Sequence, residues 1–270
     1  MLNGERCITL QMAGIQFKHF YRRSRYQQVM SVLQSSNPSL SFPQLFKDQH
    51  QLKGFYRLIS NKNITHSTFI TGYQCGLIEY SKEQTDQVPW ILIQDTMITD
   101  FNSRQLDLGY TQGLHSNGFL LHHGLLLDAK GTPLGLLHQQ VIHRERDEFG
   151  KAKLFRQKKI SEKESNKWMA GVRTGISFSK STGRDLIHIM DREADIVEVI
   201  NECLQGKQYF IIRARHDRST LSHTERGKEE ELEKFRLFHA MRSAKNNTVI
   251  KRNLRDAKGH LYEADCYLLS

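Results

Sequence analysis

The sequence predicts an α/β protein, a mixed sheet flanked by helices and preceded by a small helical domain. Three observations predict it. Residues 90–143 hold three apolar runs of strand length: WILIQDT (90–96), FLLHHGLLLDA (119–129) and PLGLLHQQVIH (133–143). Helical and extended patterns then alternate through LIHIM (186–190) and YFIIRAR (209–215). Residues 1–88 instead carry helical runs separated by Ser-, Pro- and Asn-containing breaks.

The N-terminal part has an amphipathic run from Arg22 to Leu33, a break over Ser35 to Pro43, and a second run from Phe46 to Ile59. Asn61 to Thr65 forms a turn, and Thr68 to Ser81 a further helix. Arg22, Arg23, Arg25, Lys47, Lys53 and Arg57 would stud the surface of this domain, as a DNA-facing patch or equally as a solvated basic face. The formal net charge of +10 favours a polyanionic partner, because Lys and Arg release counterions on meeting phosphates. The excess is densest in residues 1–88, with 10 basic and 5 acidic residues, against 18 and 15 in 89–216 and 11 and 9 in 217–270.

Within 89–216, the second and third runs are joined by a short Lys-Gly turn and make an antiparallel meander with the first. After a charged stretch over 144–159, a helix is expected from about Ser161. It buries a stripe of Trp168, Val172 and Ile176 at i, i+4 and i+8. LIHIM is a buried strand ending at Asp191, a helix follows through about Cys203, and YFIIRAR is the next strand. The order β-β-β-α-β-α-β is that of the ribonuclease-H-like fold, in which the strand after the first helix lies parallel beside the first strand. Beyond Arg215, Glu229 to Glu231 form a solvated charge run, and Thr248 to Arg252 and Leu261 to Leu269 read as strands around a Lys258-Gly259 turn.

That order brings Asp95, near the end of the first strand, next to Asp191, at the end of the fourth. Two such carboxylates repel one another unless a divalent cation lies between them, and oxygen-only ligands suit Mg²⁺ or Mn²⁺. The chemistry implied is metal-dependent phosphodiester transfer. An aspartate at a strand end, taken alone, is more often a helix cap or turn former; the strand order shifts the balance.

Other chemistry finds less support. His122 and His123 are adjacent on a strand and point to opposite faces, so they cannot chelate together; with His138 and His143 they read as ordinary strand histidines. There is no GxxxxGK[ST] loop, GxGxxG or GxSxG motif. Lys151 to Lys159, basic at five of nine positions, fits a phosphate-tracking loop or a solvated one. Cys7, Cys75, Cys203 and Cys266 lie far apart and read as reduced thiols. The longest apolar run, Phe119 to Leu127, is too short to cross a bilayer and no leader opens the chain, so a cytoplasmic location is expected.

Several blocks resemble the IS4 family of cut-and-paste DDE transposases: QDTMITDF (94–101), GLLHQQ (135–140), EKESNKW (162–168) and above all MDREADIVEVI (190–200). LKGFYRLISNKNIT (52–65) is similar to the end of that family's DNA-binding domain. The resemblance spans roughly residues 20–215. It implies a helical DNA-binding domain (1–88), a ribonuclease-H-like catalytic core (89–216) and the start of a β-rich insertion (217–270). It implies that Asp95 and Asp191 are the first two acids of the triad, both binding metal, with Arg192 and Glu193 as supporting neighbours. The implied partners are element-end repeats and target DNA, with homodimerisation of the full-length protein and no membrane. The family's third acid sits in a Y-x2-R-x3-E-x6-K signature; none of Tyr209, Tyr262 or Tyr267 begins one. The sequence is therefore expected to lack that acid and to stop inside the insertion. The alternative to an active transposase is a non-catalytic DNA-binding remnant.

Overall fold

A computed structural model describes residues 14–15, 17, 20–35, 37, 39–46, 48–101, 107–151, 158–223, 232–239, 246–255 and 261–269. The chain divides into two compact units, Met1–Arg213 and Ala214–Ser270.

Among the described residues of the first unit, four helices precede the sheet, α1 (Phe20–Ser35), α2 (Phe42–Leu45), α3 (Gln49–Ile59) and α4 (His66–Glu83). Capping chemistry sets their starts. Asp48 accepts a hydrogen bond from the His50 amide at 2.8 Å, so α3 begins at Gln49 rather than at the expected Phe46. The short α2 lies before Phe46, partly in the expected break, and is opened by a reciprocal Ser41–Gln44 capping box. Tyr26, Val29, Phe46, Phe55, Leu58 and Ile64 make the buried cluster of this region. Phe46 stacks on Phe55 at 5.1 Å. Of the expected surface cations, Arg23, Arg25, Lys53 and Arg57 are exposed and Arg22 is half-buried; Lys47 lies outside the described residues.

Five strands follow: β1 (Trp90–Asp100), β2 (Gly118–Leu127), β3 (Pro133–Ile142), β4 (Leu186–Met190) and β5 (Tyr209–Ile212). They form one mixed sheet in the order β3-β2-β1-β4-β5. β1 to β3 are antiparallel, whereas β4 runs parallel to β1 and β5 parallel to β4. Between β3 and β4 stands α5 (Asn166–Thr182), and between β4 and β5 stands α6 (Val197–Gln205). α5 starts later than the expected Ser161, because a 3-10 turn over Ile160–Glu162 ends in extended backbone at Lys163. The helix expected straight after Asp191 is likewise a 3-10 turn, Arg192–Ala194, separated from α6 by extended backbone at Ile196.

Strand period places alternate residues of β1 and β4 on opposite faces. Trp90, Leu92, Leu186 and Met190 are buried on one face. Leu77 and Tyr80 of α4 and Phe178 of α5 join Trp90, Leu92 and Leu186 in the main core. The expected stripe is present: Trp168 and Val172 pack with Met190 and with Val199 and Cys203 of α6, and Ile176 lies against the same cluster.

This face also holds a polar chain with a single consistent direction. The Thr96 hydroxyl donates to His122 Nδ1 (3.0 Å), and His122 Nε2–H to Gln94 Oε1 (3.3 Å). Gln94 Nε2–H then donates to His188 Nδ1 (3.2 Å), and His188 Nε2–H to Gln208 Oε1 (3.4 Å). Both imidazoles are fully buried and neutral in this arrangement. α5 lies close over the chain because Gly171 and Gly175 face it. A β-carbon on Gly171 would overlap the Gln94 amide, and one on Gly175 would stand 2.5 Å from His188 Cε1. Either Gly171→Ala or Gly175→Ala should therefore destabilise the fold by about 1–3 kcal/mol through overpacking, despite alanine's better helix propensity. Urea unfolding of the two variants measures this; unchanged midpoints would mean that α5 does not approach the sheet this closely.

The second unit contains two hairpins, β6 (Ser219–His223) with β7 (Leu232–Arg236), and β8 (Asn246–Arg255) with β9 (Leu261–Leu269), each antiparallel. The latter pair corresponds to the two strands expected there. Glu229 to Glu231 and the Lys258-Gly259 turn lie outside the described residues, as does most of the Lys151–Lys159 run. Among the described residues no helix is long and apolar enough to cross a membrane.

Candidate active site on the outer face of the sheet

The β1–β4 ladder pairs Trp90 with Leu186 and continues one-to-one to Ile93 with Ile189, an offset of 96 positions. Asp95 follows two residues further along β1, and Asp191 is the first residue after β4. Neighbouring strands lie about 4.8 Å apart. Both aspartates are exposed and fall on the face opposite to the buried Gln94 and Met190. Sheet order thus places Asp95 on β1 and Asp191 just past the end of its parallel neighbour β4.

Asp95 pairs with His123 of β2, and His123 with Gln139 of β3. On the other side β4 pairs with β5 up to Met190 with Ile212, a pairing that includes the Arg213 amide donating to the Met190 carbonyl at 3.3 Å. Arg213, the residue after β5, is exposed. The row across β3, β2 and β1 reads Gln139, His123, Asp95.

Each acid is oriented by its own main chain. Asp95 Oδ1 accepts from the Thr96 amide (2.7 Å), and Asp191 Oδ1 from the Glu193 amide (2.8 Å), capping the 3-10 turn. Oδ2 of each makes no hydrogen bond among the described residues. Burial lowers the His123 pKa, and the Asp95 charge acts in the opposite sense, as proximity requires.

Behind Asp191 lies an ion-pair network joining three sequence blocks. Lys167, only 3% exposed, reaches Glu164 at 3.2 Å and Glu193 at 3.4 Å. Glu164 also takes a bidentate pair from Arg144, at 2.6 and 2.9 Å. Burial works to raise the Glu164 pKa, but the Arg144 hydrogen bond and the Lys167 charge hold it below the usual carboxylate range. Glu193 is thus tied to Lys167. Gln140, His143, Arg144, Glu164, Asn166 and Lys167 line a cavity of about 250 Å³ on the helix side.

His122 and His123 do face opposite ways: His122 is buried against Trp168, and His123 is half-buried on the outer row. Among the described residues, no group of three or more His, Cys, Asp or Glu side chains is placed to hold a metal ion. Sequence reasoning read His123 as an ordinary strand histidine and passed over Arg144 and Lys167. Lys167 carried a signal, being the lysine of the EKESNKW block; the other two become visible only through register or long-range pairing. No family model matches the sequence.

Proposed function

We propose that the chain is a DNA transposase of the cut-and-paste DDE type, with Asp95 and Asp191 as two of its catalytic acids and Mg²⁺ or Mn²⁺ as the ion they hold. The observation that supports this reading is the placement of Asp95 on β1 and of Asp191 just past the end of β4, its parallel neighbour, both of them exposed. The sheet order β3-β2-β1-β4-β5, antiparallel and then parallel, supports a ribonuclease-H-like core. The donor set fits a hard divalent cation, because each aspartate has one oxygen steered by a backbone amide and the other unbonded.

A divalent cation bound there would polarise a phosphodiester oxygen and lower the pKa of an attacking hydroxyl. The chain's own residues orient and neutralise. Thr96 and Glu193 amides fix the acids, and the buried Lys167 anchors Glu193 behind Asp191. Residues 1–88, with half of the net charge, supply much of the affinity for element ends and target DNA. Homodimerisation is part of this reading.

A second reading, a DNA-binding protein without strand transfer, is favoured by one observation: no third acid joins Asp95 and Asp191 among the described residues. Losing one transition-state electrostatic element costs about 10²–10³ in rate. The purified chain is therefore expected to bind DNA without nicking supercoiled plasmid in Mg²⁺. Nicking that disappears in Asp191→Ala would show that another carboxylate completes the site.

The common core of both readings is tested by DNA affinity in Mg²⁺ and in EDTA. Two unscreened carboxylates repel phosphate, so Mg²⁺ should tighten binding, and Asp95→Asn or Asp191→Asn should abolish that dependence while binding well in EDTA. Equal Mg²⁺ dependence in all three proteins would remove the aspartates from the DNA site.

A further inference from the structure

Asp95 has a histidine as its cross-strand neighbour. Register partners in an antiparallel pair project from the same face, with β-carbons about 4.5–5.5 Å apart, so His123 and Asp95 stand side by side on the outer row. Gln139 Nε2 stands 3.0 Å from His123 Nδ1, and Gln139 Oε1 stands 2.7 Å from Nε2 of His66, at the first residue of α4. With the amide oriented this way, Nδ1 accepts and the proton of a neutral His123 sits on Nε2.

A neutral donor suits this position. Lysine or arginine there would pair with Asp95 and compete for the carboxylate that must hold a cation. A second carboxylate would repel DNA. A neutral imidazole does neither, and offers one N–H to an anionic oxygen. Asp95 is exposed, so the row is open to a strand approaching the acids.

We propose that His123 is a DNA-contacting residue of the Asp95 site, donating Nε2–H to a non-bridging phosphate oxygen of the strand held there, with Gln139 and His66 as the positioning residues that set its tautomer. This inference rests on the reading of Asp95 and Asp191 as the phosphate-facing pair. It adds a neutral contact on the β2 side of that pair.

The test is heteronuclear NMR of the full chain with ¹⁵N-labelled imidazoles, together with DNA affinity. In the free protein His123 should show an unprotonated Nδ1 and a protonated Nε2. A short random-sequence DNA duplex added with Mg²⁺ should shift the Nε2–H signal. His123→Ala should weaken DNA binding in Mg²⁺ about tenfold, as for a hydrogen bond to a charged group. Gln139→Leu, which keeps the imidazole, should mix the tautomers and weaken binding about threefold.

A separate arm checks the underlying reading: Mn²⁺ should broaden the amide signals of Thr96 and Glu193. If it does, but the Nε2–H signal does not move and His123→Ala binds normally, the inference is overturned and the acid pair stands. If Mn²⁺ broadens neither amide, the acid-pair reading falls and takes the inference with it.

Discussion

Replacing Arg184 with methionine is expected to cost about 3–5 kcal/mol, enough to unfold much of a marginally stable protein at 37 °C. Arg184 is only 2% exposed, yet all three guanidinium nitrogens are engaged. Nε donates to Ser81 Oγ (3.2 Å), Nη1 to the Val88 carbonyl (2.7 Å) and Asp86 Oδ1 (2.8 Å), and Nη2 to the Asp86 carbonyl (2.6 Å). The guanidinium also sits 4.4 Å over the Trp90 ring. It therefore binds the end of α4 and the following linker to the start of β1 and β4. Methionine fills the space but leaves two carbonyls without donors and removes the cation from the indole face. Lysine should rescue little, since one ammonium cannot reproduce the planar fork. Urea unfolding measures the loss; a variant within about 1 kcal/mol of the unaltered protein would show that the linker is held by other contacts.

The second large effect is on acid stability. Burial, reinforced by the neighbouring His138, Lys167 and His123, lowers the His122 pKa to about 3. Burial likewise lowers those of His138 and His188 to about 4. All three are neutral in the folded protein, whereas in the unfolded chain they protonate near pH 6.5. Between those values the unfolded state binds more protons, so stability is full above about pH 6.5 and falls as the pH drops towards about 4. At pH 5 the three together should remove about 6 kcal/mol, with a slope approaching three protons. Protonating His122 or His188 also breaks the directional chain, because each Nδ1 accepts there. His138 has a separate cost, since its Nε2 is buried without a partner among the described residues. Unfolding measured from pH 7.5 to 5 should show this slope, reduced by about one proton in His138→Gln. A pH-independent free energy would mean that the imidazoles are hydrated.

The strands were legible in sequence because their apolar runs have strand length and alternate with helical patterns; Asp95, expected near the end of the first strand, instead lies inside it, because β1 runs on to Asp100. The Trp168, Val172 and Ile176 stripe was legible because helical period is a local property. The buried polar chain was not. Gln94 and His188 meet across 94 positions, and nothing in WILIQDT or LIHIM announces that their polar residues face each other under α5. Arg184 likewise looks like any charged residue after a helix; its burial depends on a linker nearly 100 positions earlier. Helix starts shifted by a few residues because side-chain caps such as Asp48, rather than the apolar period, terminate the helices. His123 was set aside by a correct local rule, that neighbouring strand residues face apart. What the rule omits is the cross-strand partner, and for His123 that partner is Asp95.

Iron-directed cleavage tests the central claim, a divalent-cation site shared by Asp95 and Asp191, most directly. Fe²⁺ replaces Mg²⁺ at oxygen-donor sites and, with ascorbate and peroxide, cuts the polypeptide beside itself. The expected result is scission near residues 95 and 191 in the unaltered chain, suppressed by excess Mg²⁺ and lost in both Asp95→Ala and Asp191→Ala. Scission confined to one of the two positions, or persisting in either variant, would contradict a shared site.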